Sequence, residues 1–277
     1  MSEDPLISNP VVILLATYNG ASYLEEQVES LFLQTYIDFV IVAHDDGSTD
    51  GTVSILRKYV ERYPGKFYFI DDGIVTGGAQ NNFYHLMSLC DFDYAFFCDQ
   101  DDYWHKDKLL TFLGVFPAAH QEPTVVYGDL EVVDEDLNLI SHSMWELQRT
   151  GPKLTKELKI LACRNPVTGC CMAINRAVKE ILYITPDSMM HDWWIALLVK
   201  KHNGNLVALS IPLVKYRQHD SNQVGAQASG FRMYLVKILN FREAISAQLE
   251  VYKMSKSLSV YPNFIVFLYY KVKALLC

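Results

Sequence analysis

Short apolar runs and polar segments alternate along the first hundred residues. The apolar runs cover residues 11–16, 39–43, 67–70 and 94–98. Each is continuous rather than alternating, which is typical of strands buried on both faces of a parallel sheet. Between the runs, apolar residues recur at helical spacing, as at Leu24, Val28 and Leu31. The repeated order of strand, polar loop and helix predicts an α/β fold with a mostly parallel central sheet and flanking helices.

The pattern changes after about residue 120. Further strands are predicted at residues 124–127, 131–133, 137–140, 167–174, 206–209 and 213–217. A helix is predicted over residues 190–200, and residues 141–166 are predicted to be irregular and polar. From Phe231 the chain becomes apolar at near-helical spacing and basic. We therefore expect one α/β domain over residues 1–230 and a basic amphipathic helical extension over residues 231–277.

Polar clusters follow three of the early strands at the points where the strands end. The clusters contain Thr17 and Asn19, then Asp45 and Asp46, then Asp99 and Asp101. In open α/β sheets, ligands bind in the crevice beyond the carboxyl ends of the strands. The sequence therefore predicts that the three clusters converge on one binding crevice.

The segment Asp99-Gln100-Asp101-Asp102 places three carboxylates directly after an apolar strand. Burying unpaired charge is costly, and a hard divalent cation that bridges carboxylate and diphosphate oxygens would relieve the repulsion. Such a cation would also neutralise charge on a departing diphosphate. The alternative is a set of acids that decorate a helix N-terminus, and Asp102 could be no more than that.

Two other polar segments permit both a functional and a structural interpretation. Asp45 or Asp46 could hydrogen-bond a nucleobase or ribose, or the segment could be a turn in which Ser48 or Thr49 caps the next helix. The segment Thr17-Tyr18-Asn19 has the same structural alternative. Neither segment decides the function alone.

Two later segments carry further candidate chemistry. Asp192 is predicted to lie at the start of a helix, where the dipole favours a carboxylate that could act as a general base. Taken alone, Asp192 is more simply explained as a helix cap. Trp193 and Trp194 could offer a flat platform for a sugar ring, or could belong to the core. At the end of the last core strand, Arg217 could pair with a phosphate and His219 could ligate a metal, although a lone histidine is more often structural.

Charge and cysteine usage restrict the class of protein. The net charge is −8, but the residues from Phe231 onward carry +5, so the preceding 230 residues carry −13. An acidic body argues against nucleic-acid binding, whereas a basic and aromatic tail suits an anionic membrane surface. The six cysteines form no CxxC pattern, which favours reduced thiols in a cytoplasmic protein. The acidic start Met1-Ser2-Glu3-Asp4 does not read as a secretory leader.

The motifs, taken in order, resemble glycosyltransferase family 2, whose members have the GT-A nucleotide-sugar fold. The segments that carry the resemblance are residues 16–20, 26–36, 45–50, 98–104, 169–170, 191–194 and 216–219. The forms DQDDYW, HDWW and YRQH look most like those of bacterial rhamnosyltransferases. One departure is His44, where many relatives have a small or aliphatic residue before the aspartate pair.

The resemblance implies a role for each matching residue. The implied nucleotide and donor contacts are Thr17, Tyr18, Asn19, Asp45, Asp46, Asp99, Gln100 and Arg217. Asp101 and His219 would hold Mg2+ or Mn2+, Asp192 would be the catalytic base, and Gly169, Trp193 and Trp194 would face the acceptor. Family members transfer the sugar with inversion in a single displacement.

The resemblance also implies substrates and partners. The expected donor is dTDP-L-rhamnose and the expected acceptor is a glycan, either free or lipid-linked, in bacterial O-antigen or capsule synthesis. A UDP-hexose, UDP-galactose or UDP-N-acetylhexosamine donor is the first alternative, and a metal-dependent phosphohydrolase or a carbohydrate-binding module is a more remote one. The basic tail could attach the protein to the inner face of the cytoplasmic membrane, or pack on the core or on a second subunit.

Overall fold

The computed structural model describes residues 7–117, 121–219 and 241–276. The strands are β1 (Ile7–Ser8), β2 (Val11–Thr17), β3 (Val40–Asp45), β4 (Phe67–Ile70), β5 (Cys90–Asp91), β6 (Tyr94–Cys98), β7 (Tyr103–Trp104), β8 (Thr124–Gly128), β9 (Glu131–Val133), β10 (Leu139–Ser141), β11 (Met172–Asn175), β12 (Asn205–Leu209) and β13 (Val214–Arg217). The helices are α1 (Leu24–Phe32), α2 (Thr52–Arg62), α3 (Ala79–Leu89), α4 (Lys108–Leu113), α5 (Met144–Gln148), α6 (Leu158–Leu161), α7 (Arg176–Ile181), α8 (His191–Lys201), α9 (Phe241–Ser257) and α10 (Phe264–Leu275).

A seven-stranded sheet forms the centre, in the order β12-β8-β11-β6-β2-β3-β4. Strands β6, β2, β3 and β4 pair in parallel, as do β12 and β8, and β11 is antiparallel to both of its neighbours. The predicted α/β fold with a mostly parallel sheet is therefore confirmed. Because β2 lies between β3 and β6, the three polar clusters follow adjacent strands that end at the same edge.

Both faces of this sheet are covered, which explains the continuous apolar runs. Along β2, Val12 and Leu14 pack into the cluster that includes residues of α3 and α8. Ile13 and Leu15 point the other way, into the cluster that includes residues of α1 and α4. Every residue of β2 is buried, so a polar side chain at any interior position would lose its hydration.

A four-stranded sheet, in the order β10-β9-β13-β7, lies beside the acidic segment. Strand β13 is antiparallel to β7 and parallel to β9. Strand β7 follows the Asp99–Asp102 segment directly, and β13 ends at Arg217. This pairing therefore places the segment after β13 next to the acidic segment.

The prediction that residues 141–166 are irregular is wrong. The segment contains α5, a 3-10 helix at Pro152–Thr155 and α6. Ser143 caps α5 by accepting a hydrogen bond from the Glu146 N–H, and α5 ends at Arg149 in the left-handed conformation. The strand predicted over residues 167–174 is also shorter, because a 3-10 turn at Gly169–Cys171 precedes β11.

Helices α9 and α10 pack on the core of the α/β domain. Met254, Phe267 and Ala274 are buried in the same cluster as residues of α6 and α8. This packing favours the core interpretation for that part of the extension. The apolar stripe of residues 231–239 and the proposed boundary at residue 230 lie outside the described residues. None of the helices in the described ranges is long and apolar enough to cross a membrane.

Candidate active site

The loop after β2 is fastened to the acidic segment by the Gln100 side chain. The Gln100 Oε1 accepts a hydrogen bond from the Tyr18 N–H at 2.7 Å, and its Nε2 donates to the Tyr18 carbonyl at 2.8 Å. Gly20 makes this approach possible, because a Cβ at that position would lie 2.1 Å from the Gln100 Oε1. The Gln100 side-chain amide thus links the two loops through one accepted and one donated hydrogen bond, as a neighbouring strand backbone would.

The same loop is fastened on its other side to the segment after β3. The Asn19 N–H donates to the Ser48 Oγ at 2.7 Å, and the Asn19 Oδ1 accepts from the Thr49 N–H at 2.8 Å. Asn19 has a φ of 49°, a left-handed conformation that asparagine tolerates better than most residues. The Thr17 hydroxyl donates to Asp45 at 2.8 Å. The three predicted clusters therefore form one connected unit.

The Asp46 side chain binds a glycine-rich loop and does not face an open pocket. Its carboxylate accepts hydrogen bonds from the Thr76 hydroxyl at 2.9 Å, the Gly77 N–H at 3.1 Å and the Gly78 N–H at 2.6 Å, and from the Thr76 N–H. Burial alone would raise the pKa of Asp46, but these hydrogen bonds outweigh it and the pKa lies below its ordinary value. The structure therefore shows Asp46 positioning this loop, and its contact with a nucleotide stays a prediction.

The Asp45 carboxylate, like that of Asp46, accepts hydrogen bonds from a neighbouring loop. It accepts hydrogen bonds from the Ser48 N–H at 2.7 Å and the Ser48 hydroxyl at 2.6 Å. Neither Ser48 nor Thr49 caps α2, contrary to the structural alternative that the sequence left open. Instead, Asp50 accepts from the Thr52 N–H at 2.9 Å at the start of that helix.

The predicted metal ligands Asp101 and His219 lie side by side. The His219 Nε2 and the Asp101 Oδ2 are 3.0 Å apart, and this hydrogen bond raises the pKa of His219. The His219 ring also packs against the Tyr23 ring at 4.8 Å between centroids. The two side chains can therefore present one oxygen and one nitrogen to the same ion.

Arg217 does not face the crevice as a free phosphate ligand would. It is 2% exposed, forms an ion pair with Glu26 of α1, and donates from Nε to the Asp101 carbonyl at 2.9 Å. Its backbone N–H donates to Asp102 at 3.2 Å. The expected phosphate contact is thus replaced by a structural role, in which Arg217 holds the acidic segment against β13.

Asp99 and Asp102 carry strongly perturbed carboxyl groups. Burial, followed by the negative charges of Asp101, Asp102 and Asp192, raises the pKa of Asp99 well above its ordinary value. Burial and the charge of Asp101 raise the pKa of Asp102 to about 7. Potential ligand atoms of Asp99, Asp102 and Cys170 lie within 4.8 Å of one another.

The carboxyl groups of the Asp99–Asp102 segment fit a hard divalent cation such as Mg2+ or Mn2+. The crowded carboxylates repel one another, and a bound cation would favour their ionised forms. Burial raises the pKa of the Cys170 thiol well above its ordinary value, so the thiol is neutral and does not suit a soft, thiolate-bound metal.

Lys108 is a charged neighbour that the sequence did not reveal. Its side chain is fully buried, with Nζ donating to the Cys170 carbonyl at 2.7 Å and lying 3.1 Å from the centre of the Trp104 ring. Burial lowers the pKa of Lys108, while Asp102 is among the groups that raise it. The only hint in the sequence is that Lys108 interrupts an otherwise apolar helix face.

Asp192 lies at the N-terminus of α8 and is 2% exposed. It accepts hydrogen bonds from the Gly169 N–H at 2.9 Å and the Asn165 side chain at 3.3 Å. Burial outweighs these hydrogen bonds and raises the pKa of Asp192 to about 7. Gly169 is followed by Cys170, whose thiol lies within 4.8 Å of the Asp99 and Asp102 carboxyl groups, so Asp192 lies close to the acidic segment. A carboxylate with this pKa is suited to accept a proton near neutral pH.

Gly169 supports Asp192 through its lack of a side chain. A Cβ at this position would lie 2.5 Å from the His191 Nε2, which is closer than real Cβ contacts come. The backbone therefore approaches α8 closely enough for its N–H to reach the Asp192 carboxylate. The structure thus gives Gly169 a positioning role toward the Asp192 carboxylate.

The two tryptophans do not form a sugar platform. Trp193 is 8% exposed and Trp194 is fully buried, and their indole N–H groups donate to the Leu161 and Tyr183 carbonyls at 2.8 Å and 2.6 Å. The core interpretation is therefore the correct one. Tyr18, which is 55% exposed in the loop after β2, is the aromatic side chain of this site that remains accessible.

Comparison with known proteins identifies the family. The model of the family described as Glycosyl transferase family 2 matches residues 12–182, which is more than half of the chain. The chain belongs to this family. A relative from Shigella flexneri named dTDP-rhamnosyl transferase RfbG is 30% identical over 225 residues, which cover 78% of this chain and 75% of the relative. An uncharacterized glycosyltransferase of Nostoc sp. is 26% identical over 231 residues, which cover 79% of this chain and 68% of that relative.

Solved structures show the same GT-A-like fold. A mannosyltransferase from Pyrobaculum calidifontis, in complex with GDP-Man and Mn2+, superposes with a TM-score of 0.58 at 14% identity, covering 97% of this chain and 80% of that one. S. aureus TarS 1-349 in complex with UDP-GlcNAc superposes with a TM-score of 0.54 at 20% identity and covers 77% of this chain. The chain spans 60% of the length of that TarS chain.

Proposed function

We propose that this glycosyltransferase moves L-rhamnose from dTDP-L-rhamnose to a glycan acceptor, with inversion, during synthesis of a bacterial surface polysaccharide. The observation that carries the chemistry is the buried Asp192 carboxyl group at the start of α8, whose pKa is about 7 and which accepts the Gly169 N–H at 2.9 Å, beside the acidic segment Asp99–Asp102. The dTDP-rhamnosyl transferase relative supports the choice of donor.

In this proposal Asp192 removes the proton from the acceptor hydroxyl as that oxygen attacks the anomeric carbon. The bond from the anomeric carbon to the diphosphate oxygen breaks, and the bonding electrons leave with the nucleoside diphosphate. Asp101 and His219 would hold Mg2+ or Mn2+, which supplies positive charge to the diphosphate. Asn19 and Tyr18 lie on the loop that Gln100 fixes at the donor side.

The donor is tested with a panel of nucleotide sugars. The full chain is incubated with Mn2+, an acceptor glycan and labelled dTDP-rhamnose, UDP-glucose, UDP-galactose, UDP-GlcNAc or GDP-mannose. We expect transfer from dTDP-rhamnose and release of dTDP that depends on the acceptor. Transfer from a UDP sugar alone would favour the alternative donor class, and release of sugar without an acceptor would favour a hydrolase.

The base is tested with Asp192→Asn and a matched control, Asp129→Asn. Asp129 is also buried and accepts backbone N–H groups, from Leu130 at 2.8 Å and Trp145 at 3.0 Å, but it is not part of the group that Asp99 forms with Asp102 and Cys170. We expect Asp192→Asn to lower kcat by at least about a hundredfold, and Asp129→Asn to affect thermal stability more than turnover. Full transfer by Asp192→Asn would exclude the proposed base.

We also propose that the protein acts in the cytoplasm and binds the inner face of the membrane through α10. One face of this helix and its last turn carries apolar side chains that are 44% to 83% exposed, namely Ile265, Leu268, Tyr269, Val272 and Leu276. The helix is about 18 Å long, which suits a position in the interface rather than across the bilayer. Lys273 pairs with Glu157, so the apolar surface is expected to dominate this part of the binding.

Liposome co-sedimentation tests the attachment. We expect Val272→Glu to reduce binding to vesicles that contain anionic lipid, and Ile37→Glu to leave it unchanged, because Ile37 is equally apolar and 78% exposed but lies outside α10. Binding through the apolar face should persist at high salt, whereas binding through the basic residues should weaken. A dimer in sedimentation analysis that Val272→Glu dissociates would instead assign this face to a second copy.

A further inference from the structure

A second cluster of metal-ligating side chains lies apart from the acidic segment. It consists of His44 at the end of β3, Asp72 just after β4 and His85 on α3. The His44 Nε2 is 3.3 Å from the Asp72 Oδ1, and the His85 Nε2 is 2.8 Å from the Asp72 Oδ2. One potential ligand atom from each residue lies within 4.8 Å of the other two. Three different elements thus direct two imidazoles and one carboxylate to the same point.

The hydrogen bonds of Asn82 set the tautomer of His44. The Asn82 Nδ2 donates to the His44 carbonyl at 3.2 Å, which turns the Asn82 Oδ1 toward the His44 Nδ1 at 2.8 Å. An amide oxygen only accepts hydrogen bonds, so the His44 Nδ1 carries the proton. In the neutral ring, the Nε2 lone pair then faces the Asp72 carboxylate.

Two acceptors that face each other need a positive charge between them. His44 is 1% exposed, so water does not readily supply the missing donor from its side of the contact. Either a proton on the His44 Nε2 or a metal cation resolves the conflict. The second imidazole, on His85, points to the same carboxylate, and a single cation can serve both rings.

We propose that His44, Asp72 and His85 bind a divalent cation of the Zn2+ type. Two neutral imidazole nitrogens and one carboxylate oxygen are preferred ligands of Zn2+, with a water in the fourth position. The hydrogen bond from the His44 Nδ1 to Asn82 is the outer contact that orients a metal-bound histidine. The His85 and Asp72 side chains are 18% and 29% exposed, so they can move inward to ligand distances of about 2.0–2.2 Å.

The ion would fasten the loop that holds Asp46. The Asp72 Oδ1 also accepts the Ile74 N–H at 3.0 Å, and the loop continues to the Thr76–Gly78 segment that surrounds the Asp46 carboxylate. Helix α3, which carries His85, begins directly after Gly78. The cation would therefore join β3, this loop and α3, and stabilise the folded protein without entering the reaction. This inference does not depend on the identity of the sugar donor.

Zn2+ titration of the full-length chain tests the proposal. The chain is first treated with EDTA and then titrated with Zn2+ in an Asp101→Asn background, so that the acidic segment contributes less to binding. We expect one bound Zn2+, and a dissociation constant that rises at least about tenfold in Asp72→Asn and in His85→Gln. Co2+ should give the visible absorption of a four-coordinate site, and both variants should lose it.

His105→Gln is the matched control, because His105 also pairs with one carboxylate, that of Glu131 at 3.1 Å, but within the described ranges it belongs to no group of three metal-ligating side chains. It should bind Zn2+ like its parent. Since Asp72 and His85 are both partly exposed, circular dichroism can establish that these variants fold. The proposal is overturned if Zn2+ neither binds the parent nor raises its melting temperature, because a proton would then lie between the groups. It is also overturned if both variants bind Zn2+ as tightly as the parent.

Discussion

Replacing Gly169 by alanine tests how the protein sets the proton affinity of Asp192. The new Cβ would lie 2.5 Å from the His191 Nε2 and 2.8 Å from its Cε1. Ordinary contact begins at 3.4 Å, so the backbone must retreat by about 0.9 Å. The hydrogen bond from the Gly169 N–H to Asp192, now 2.9 Å long, would then exceed the length of an effective hydrogen bond.

The size of the effect follows from the energy of that hydrogen bond. A hydrogen bond to a charged group contributes about 1.5–3 kcal/mol, and one pKa unit corresponds to about 1.4 kcal/mol. Losing it should raise the pKa of Asp192 from about 7 by one to two units. At pH 7 the ionised fraction would fall from about one half to roughly 1–10%, and transfer would slow by roughly 5- to 50-fold.

The assay is the pH dependence of kcat/KM between pH 6 and pH 9.5 at saturating Mn2+. We expect the ascending limb to move to higher pH in Gly169→Ala, with most activity recovered at the alkaline end. Gly51→Ala is the matched control, because its Cβ would meet Ala21 at a normal 3.5 Å and its φ is −76°. A uniform loss of activity at every pH, or a limb that moves to lower pH, would refute the reasoning.

Three further predictions follow from the same site. Gly20→Ala should push Gln100 away from Tyr18 and raise the KM for the donor several-fold, with little shift in the pH limb of kcat/KM; an unchanged KM would contradict this. Asp101→Asn should raise the Mn2+ concentration needed for half-maximal transfer by at least about tenfold, as measured by metal titration. Without metal, Asp102 and Asp192, each with a pKa raised to about 7, hold protons in the folded state that they lose in the unfolded state, so urea-unfolding stability should fall from pH 5 to pH 7 by up to roughly 1.4 kcal/mol per pH unit for each carboxyl group, and Mn2+ should reduce the loss.

The sequence predicted the sheet and the convergence of its polar ends, because both follow from local patterns. Continuous apolar runs require cover on both faces, and parallel neighbours bring their carboxyl ends together. The proximity of Asp101 and His219 was inferred from an expected metal, and the structure brings the two side chains together at 3.0 Å. Their role as metal ligands stays a prediction.

Other features depend on partners that are distant in the sequence. Arg217 pairs with Glu26, which lies 191 positions earlier, and no local pattern reports that contact. The sequence allowed a sugar platform at the tryptophan pair because α8 is buried on every side, from His191 to Val199. No polar face of this helix therefore distinguishes core residues from site residues. The nearly uniform apolar character of residues 193–199 was the available signal, and it favoured the core.

The hydrogen bonds of the Gln100 side-chain amide should affect the entropy of donor binding. One side chain already supplies both a donor and an acceptor to Tyr18, so the loop that would meet the nucleotide is ordered before any ligand arrives. Association then costs little conformational entropy in the protein, in contrast to sites whose loops fold around their ligand. Calorimetry should therefore show a small entropic penalty for nucleotide binding, which grows when Gln100 is shortened to alanine.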